Sequence, residues 1–149
     1  MKAIAYLQFN GNTQEALDFY ETALQAKVMK VNFGALPQNP TAPLSEEEQN
    51  MIMESRIEFS NNILMMSDVL PSMQAVTGAV AQGTNVIISI IDGDPDTTKR
   101  YFENLSKEGT IIMPISSVPW SSSFGILIDK FGVMWKFNSD ASKFLDRLI

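Results

Sequence analysis

The feature that most constrains the fold of this chain is an internal repeat with a spacing of 82 residues. Residues 10–12 (Asn-Gly-Asn) and 19–21 (Phe-Tyr-Glu) return as 92–94 (Asp-Gly-Asp) and 101–103 (Tyr-Phe-Glu). In both copies a strand-like run enters a polar glycine turn, and an amphipathic segment follows. Because similarity at a fixed spacing indicates duplicated structural units, we expect two copies of one strand–helix–strands unit.

The composition is that of a globular protein rather than a nucleic-acid or membrane binder. The chain has 149 residues, of which 45% are hydrophobic, and this length suits one domain with a sizeable core. Its net charge of −6 disfavours nucleic acid and anionic membranes as partners, since both require clustered Lys and Arg. No apolar stretch approaches the roughly 18 residues of a membrane span, and no signal peptide is evident. We therefore expect a cytoplasmic protein.

The chain contains neither histidine nor cysteine. Without cysteine there is no disulfide, no thiolate nucleophile and no Cys metal site. Histidine is the usual acid or base near neutral pH and a frequent ligand of transition metals. Ser-His-Asp catalysis and every His-containing zinc or iron site are therefore excluded.

The hydrophobic pattern of the first copy predicts four strands and one helix. The strands are predicted at 3–9, 28–33, 57–59 and 63–66. The helix is expected to begin with Asn12 and Glu15 as a capping box and to bury Leu17 and Tyr20. Residues 35–50 read as a loop with a short capped helical turn.

The second copy repeats this order. Its strands are predicted at 86–91, 110–115, 124–129 and 133–137, and the first is apolar enough for a well-covered strand. Asp94 is expected to cap the helix, Pro95 suits its first turn, and Gly109 is expected to end it. A last helix carries an apolar face formed by Ala141, Phe144, Leu145 and Leu148.

These elements predict an α+β fold of two βαβββ modules plus a C-terminal helix. We expect residues 1–149 to form a single domain, with module 1 at about 1–75 and module 2 at about 76–149. In each module one helix covers one sheet face and leaves the other face bare. Pairing the modules would close a cup-shaped, mainly antiparallel sheet around the bare faces, with the helices outside.

Several motifs match a known family. They are 6–12 (Tyr-Leu-Gln-Phe-Asn-Gly-Asn), Met113-Pro114, 129–133 (Asp-Lys-Phe-Gly-Val) and Trp135. With the duplicated βαβββ order, they make the chain resemble the vicinal oxygen chelate superfamily, which includes glyoxalase I, extradiol dioxygenases and bleomycin- and fosfomycin-resistance proteins. Within it the chain is similar to the PhnB-like branch, often labelled 3-demethylubiquinone-9 3-methyltransferase-like.

The resemblance also implies where a metal would be held. In the superfamily's metalloenzymes four cup residues, usually His, Glu or Gln, bind a divalent cation, two from each module. The positions that correspond to them are Ala5, Met65, Asn85 and Lys136. Alanine offers no donor, methionine sulfur suits these cations poorly, and an ammonium repels them. A shift of one residue brings Gln8 or Glu58 nearer, which supplies too few oxygens, so we expect no metal.

A methyltransferase activity is not supported by the residues. No glycine-rich strand–loop–helix is present to hold a nucleotide-like cofactor, and we expect no cofactor of any kind. Asp129 and Lys130 are expected to fix a turn rather than to do chemistry.

Candidate ligand-binding residues are Ala5, Met65, Asn85, Trp120 and Lys136. Lys136 reads either as a point charge for an anionic group or as a strand lysine that reaches solvent along its stem. Trp120 reads either as a stacking wall of a pocket or as an ordinary core residue. If Lys136 faces the cup, Trp135 must face the other way.

We therefore predict metal-independent binding of a small apolar or aromatic molecule, anionic or neutral. One alternative is an enzyme of the same superfamily, using Lys136 without metal or a displaced carboxylate metal site built from Glu54, Glu58 and Asp68. Another is a structural or regulatory dimer without ligand. A homodimer is expected in each case, because the sheets have edges and faces to cover across a two-fold axis.

Overall fold

The computed structural model describes residues 1–148. The chain divides into two compact units, Met1–Ala81 and Gln82–Ile149. Each unit contains one four-stranded sheet with one parallel and two antiparallel strand pairings. The predicted α+β class, the mainly antiparallel pairing and the duplicated order are therefore confirmed.

The first unit is a βαβββ module with short helical insertions. Its strands are ordered β1-β4-β3-β2 in the sheet, with β1 and β4 parallel. Two single 3-10 turns lie at Phe33–Ala35 and Pro71–Met73. The elements in chain order are β1 (Tyr6–Phe9), α1 (Thr13–Leu24), β2 (Lys27–Asn32), α2 (Glu46–Gln49), β3 (Ile52–Phe59), β4 (Asn62–Asp68) and α3 (Gln74–Thr77).

The second unit repeats this topology with the strand order β5-β8-β7-β6 and a parallel β5–β8 pair. It ends with the predicted C-terminal helix. Its elements are β5 (Ile88–Ile91), α4 (Pro95–Leu105), β6 (Thr110–Val118), β7 (Ser121–Ile128), β8 (Met134–Asn138) and α5 (Ala141–Asp146). Within residues 1–148 no helix is both long and apolar enough to cross a membrane.

Helix α1 packs its apolar stripe onto the first sheet, as the helical spacing predicts. Leu17 and Tyr20 are completely buried. They face the side of the sheet that carries Ile57 of β3 and Met66 of β4, which are also completely buried. Truncating a leucine in such a site costs about 2–5 kcal/mol, so this contact fixes which sheet face the helix covers.

The predicted capping box of α1 is wrong. Asn12 makes no side-chain cap hydrogen bond. Instead the buried carboxylate of Asp68, at the end of β4, accepts from Thr13 N at 3.1 Å and from Thr13 Oγ1 at 2.6 Å. A negative charge is favoured at a helix N-terminus, and this one also accepts from Ile52 N at 2.9 Å. The helix start is therefore set by a distant strand rather than by its own sequence.

Helix α4 begins as predicted and ends differently. Asp94 Oδ1 accepts from Thr97 N at 2.8 Å, and Pro95 lies in the first turn. The helix is capped at Ser106, so Gly109 does not end it. Gly109 has another role, because a Cβ there would lie 2.4 Å from the carbonyl oxygen of Ile128 in β7. A glycine at this point lets the chain enter β6 directly beside β7.

Strand β5 differs from the expected well-covered strand. It begins at Ile88, and its residues alternate between half-buried and exposed. Ile91 is 50% exposed and Val86, before the strand, is 77% exposed. The run is apolar, but within the strand only Ile88 and Ile90 are half-buried, so continuous hydrophobicity was a poor guide to its burial.

Candidate functional site

Each sheet has one face packed on its long helix and one face without it, called here the helix-free face. In β4, Leu64 and Met66 are buried on the helix side, so Met65 between them lies on the helix-free face. In β8, Trp135 and Phe137 are completely buried on the helix side. Side chains alternate along a strand, so Lys136 lies on the helix-free face of the second sheet.

Trp135 and Lys136 lie on opposite faces of the sheet, as predicted, and Asp129 holds Trp135 on its side. Asp129 is 3% exposed and accepts from Phe131 N at 2.9 Å, from Val133 N at 3.1 Å and from Trp135 Nε1 at 3.0 Å. The carboxylate fixes the β7–β8 turn and holds the indole on the helix side. The interpretation of Asp129 as a turn residue is therefore also confirmed.

The helix-free face of the first sheet is charged, and three of its charged residues, Glu54, Arg56 and Glu58, have partners. Tyr6 in β1 pairs in register with Met65 and donates from Oη to Glu54 Oε1 at 2.8 Å. Burial is the main cause that raises the pKa of Tyr6, and the Glu54 carboxylate raises it further, while a hydrogen bond with Ser67 opposes the rise. The phenol therefore stays neutral to higher pH than an ordinary tyrosine.

The second pair on this face joins Arg56 and Glu58. Arg56 Nη2 lies 2.9 Å from Glu58 Oε1 and 3.1 Å from the Met29 sulfur. Arg56 Nε is buried with no hydrogen-bond partner among residues 1–148. About two fifths of each charged side chain is exposed, so the pair is a partly screened surface interaction.

The alternative of a displaced carboxylate metal site finds no support in this arrangement. Glu54 is hydrogen-bonded by Tyr6, Glu58 is paired with Arg56, and Asp68 is used by helix α1 and strand β3. Across residues 1–148 no three acidic side chains are placed to hold a metal ion.

The residues that the resemblance places at the metal positions do not fit a divalent cation either. Met65 and Lys136 lie on helix-free faces, one in each unit. Ala5 precedes β1, and its carbonyl oxygen accepts from Met65 N at 3.2 Å. Asn85 is exposed in the bend before β5. A methyl group, a thioether, one amide and an ammonium do not form a ligand set for a hard cation.

The helix-free face of the second sheet carries one charged residue among apolar and small polar side chains. Lys136 is the only charged residue in strands β5 to β8. It is half-buried and lies in register between Ser89 of β5 and Ile126 of β7. Among the described residues it has no ion pair or hydrogen bond. Phe124 of β7 lies on the same face.

Trp120 is not a core residue. It lies at the turn between β6 and β7, is 41% exposed, and places its ring edge-on to Phe124 at 5.6 Å between centroids. It lines a groove of about 200 Å³ against helix α5, whose Lys143 and Arg147 also line it. These two cations were not predicted as site residues. Their spacing of four residues near the end of the last helix is the signal that could have indicated them.

Comparison with known proteins gives the following likenesses. A family model described as 3-demethylubiquinone-9 3-methyltransferase matches residues 1–138. Protein YjdN of Escherichia coli is 29% identical over 140 residues, which cover 89% of this chain and 91% of that protein.

Two solved structures extend the likeness. Protein PA1353 from Pseudomonas aeruginosa is 28% identical with a TM-score of 0.76, covering 93% of this chain and 96% of the other. The fosfomycin resistance protein FosX from Listeria monocytogenes shares the fold alone, at 7% identity and a TM-score of 0.63. The match covers 100% of this chain and 98% of FosX.

Proposed function

Because this chain belongs to the 3-demethylubiquinone-9 3-methyltransferase family, in the PhnB-like branch of the vicinal oxygen chelate superfamily, we propose that it binds a small aromatic or apolar molecule without using a metal ion. The family is described by a methyl-transfer reaction, but the match establishes similarity to the family and not this reaction in this chain. The chain lacks a glycine-rich strand–loop–helix for a nucleotide-like cofactor. Binding, rather than methyl transfer, is the activity that its residues support.

The observation that carries the proposal is the setting of Lys136. A single half-buried ammonium shares its face with Ile126, Phe124 and the small polar Ser89, and no acidic group among the described residues forms an ion pair with it. An opposite charge is attracted more strongly in such a setting than in open water, because the effective dielectric constant is lower. The preferred ligand therefore carries a carboxylate or phosphate on an apolar body.

Metal independence is proposed from the same residues. Lys136 repels a cation, Met65 is a soft donor, and Ala5 has none. An enzyme that uses Lys136 without metal is the alternative, and turnover of a bound ligand would favour it. A structural dimer is the alternative that predicts no ligand at all.

The test compares ligands that differ only in charge. A library of one- and two-ring aromatic carboxylates and their amides is screened by thermal shift, and positive compounds are measured by calorimetry with metal-free protein. We expect carboxylates to bind and to be preferred over the amides. A charge-assisted hydrogen bond contributes about 1.5–3 kcal/mol, so Lys136→Met should weaken carboxylate binding about tenfold or more.

The matched control is Lys99→Met. Lys99 is a solvent-exposed lysine on helix α4, so its replacement changes net charge equally without touching the helix-free face. Its effect on affinity should be less than twofold. If no compound shifts the melting temperature, or if Lys136→Met binds carboxylates as well as the parent, the proposal is wrong.

A further inference from the structure

The groove between the β6–β7 turn and helix α5 has three features that belong together. Its lining includes the exposed Trp120, the cations Lys143 and Arg147, and Asp140 together with Ser122. Its volume of about 200 Å³ is below the roughly 300–1,000 Å³ of pockets for drug-sized ligands. An occupant is therefore limited to about one ring and a short polar group.

The charge of the groove is positive, although the chain as a whole carries −6. Lys143 lies in helix α5 and Arg147 is its C-cap residue, four positions later in right-handed helical conformation, so both lie on one side of the last turn. Neither forms an ion pair within the part of the chain that is described. Two cations face one carboxylate, which leaves a net charge of +1 at the lining.

The single carboxylate is already engaged. Asp140 Oδ2 accepts from Ser122 N at 2.6 Å. This hydrogen bond is the main cause that lowers the pKa of Asp140, and the charges of Lys143 and Arg147 lower it further. The carboxylate therefore acts as a fixed part of the turn that positions Trp120, and it leaves donor capacity on both cations.

The indole is held in a defined orientation. Its ring lies at 79° to the ring of Phe124, an edge-to-face arrangement that is among the favoured geometries of aromatic pairs. The exposed part of the indole can then stack on a planar ring. Arginine adds a flat fork of N–H donors that matches a carboxylate in two parallel hydrogen bonds.

We propose that this groove is a binding site for a small planar aromatic carboxylate, held by stacking on Trp120 and by ion pairing with Arg147 and Lys143. Lys136 does not line the groove. The site meets the helix-free face only through the contact of Trp120 with Phe124, does not use the ammonium of Lys136, and stands or falls independently of the function proposed above.

Nuclear magnetic resonance gives the direct test, because the chain has two tryptophans. Benzoate is titrated into ¹⁵N-labelled protein. We expect saturable shifts of the Trp120 indole and the Ser122 amide. The Trp135 indole should stay in place, since it is buried and donates to Asp129. Acetate lacks the ring and benzamide lacks the charge, so each should bind at least about tenfold more weakly, the equivalent of about 1.4 kcal/mol.

Charge variants distinguish binding at this groove from a general electrostatic attraction of benzoate to the protein. The double variant Lys143→Gln with Arg147→Gln should raise the dissociation constant of benzoate about tenfold or more. The double variant Lys99→Gln with Arg100→Gln removes the same charge from helix α4 and should change it less than twofold. Lys136→Met should leave the Trp120 shift unchanged.

Three outcomes would overturn the proposal. The first is that benzoate does not shift the Trp120 indole signal. The second is that the two double variants weaken benzoate binding equally. The third is that Lys136→Met abolishes the shift of the Trp120 indole. The last of these would assign Trp120 to the ligand of the helix-free face instead.

Discussion

The two helix-free faces have the same topology and opposite chemistry. The first sheet holds six charged residues in its strands, and those on its helix-free face include the Arg56–Glu58 pair and the Glu54 carboxylate bound by Tyr6. The second sheet holds one, Lys136, with no partner among residues 1–148. The duplicated units have kept their helix–sheet packing while the other face diverged. The first face pairs three of its charged residues internally, whereas the charge of Lys136 on the second face is unpaired within the described part of the chain.

The largest expected effect concerns assembly, and it tests whether the two sheets also differ at their edges. Edge strand β2 carries Lys27 and Lys30, and charged residues oppose strand pairing. Edge strand β6 exposes Ile111 and Ile112 by about half.

We predict a homodimer in which β6 takes part, so light scattering should give about twice 16.6 kDa, and Ile112→Lys should give the monomer mass. Val31→Lys on β2 is the control and should stay dimeric. A monomeric parent at micromolar concentration would refute the dimer.

The next largest effect tests whether a buried aspartate stabilises the second unit as much as one stabilises the first. Asp68 and Asp129 are both buried at the end of a strand, and each accepts from three donors. Replacement by alanine leaves those donors unsatisfied, at about 1–3 kcal/mol for a buried group. Asp68→Ala and Asp129→Ala should therefore each lower the free energy of unfolding by about 3 kcal/mol or more in urea.

The exposed Asp146→Asn variant is the control for these two and should change stability by less than about 0.5 kcal/mol. A loss below about 1 kcal/mol for one of the buried aspartates would show that the two units are not stabilised alike.

A smaller effect on the free energy of unfolding compares the cation of each helix-free face, Arg56 on the first and Lys136 on the second. Arg56→Met removes the partner of Glu58, and since both side chains are about two fifths exposed the loss should be about 0.5–1 kcal/mol. Lys136→Met replaces an unpartnered half-buried charge with an apolar chain, so stability should be unchanged or increased. Chemical denaturation of both variants without ligand measures this. Equal losses would mean that Lys136 has a partner in the folded protein.

The smallest effect is the pH dependence of the first face. The folded-state pKa of Tyr6 is raised, mainly by burial. Its contribution is fully present below the unfolded-state pKa of about 10 and is lost as pH rises through the folded pKa, since the unfolded chain then releases its proton first. The parent should therefore lose stability relative to Tyr6→Phe between about pH 9 and pH 11. A constant difference in melting temperature over this range would contradict the shift.

The topology was predictable because local patterns repeat at a long spacing, whereas the register of the strands was not. Phe9 is 6% exposed on the helix side, but Ile91, 82 residues further on, is 50% exposed. The alternation of faces is therefore out of step between the copies, and a shift of one residue moves every side chain to the other face. The family resemblance placed Ala5 by registering on Phe19-Tyr20 and Asn85 by the start of a predicted strand, although both residues lie outside the strands.

Long-range contacts explain the other differences. The carboxylate that binds the start of α1 is 55 residues away in the chain, so the local capping pattern at Asn12 and Glu15 could not reveal it. The groove beside Trp120 depends on how helix α5 meets the β6–β7 turn. The opposite orientation of Lys136 and Trp135 was predictable because side chains alternate along a strand, whereas the sequence left open which of the two faces the helix.

The hydrogen bond from Trp135 to Asp129 also has a consequence for the evolution of specificity. It anchors the orientation of strand β8 from within the core, so position 136 presents its side chain outward whatever residue occupies it. Under the proposed function, substitutions at this position can therefore change ligand preference without altering the packing of the core beneath it. A saturation library at position 136 should yield folded proteins for all residues except proline, which cannot donate to the ladder of this central strand, and the proposed function predicts that they differ in the charge and size of the molecules they bind. Under that function, the stability of the fold depends on Trp135 and the ligand preference depends on position 136, the next residue of the same strand.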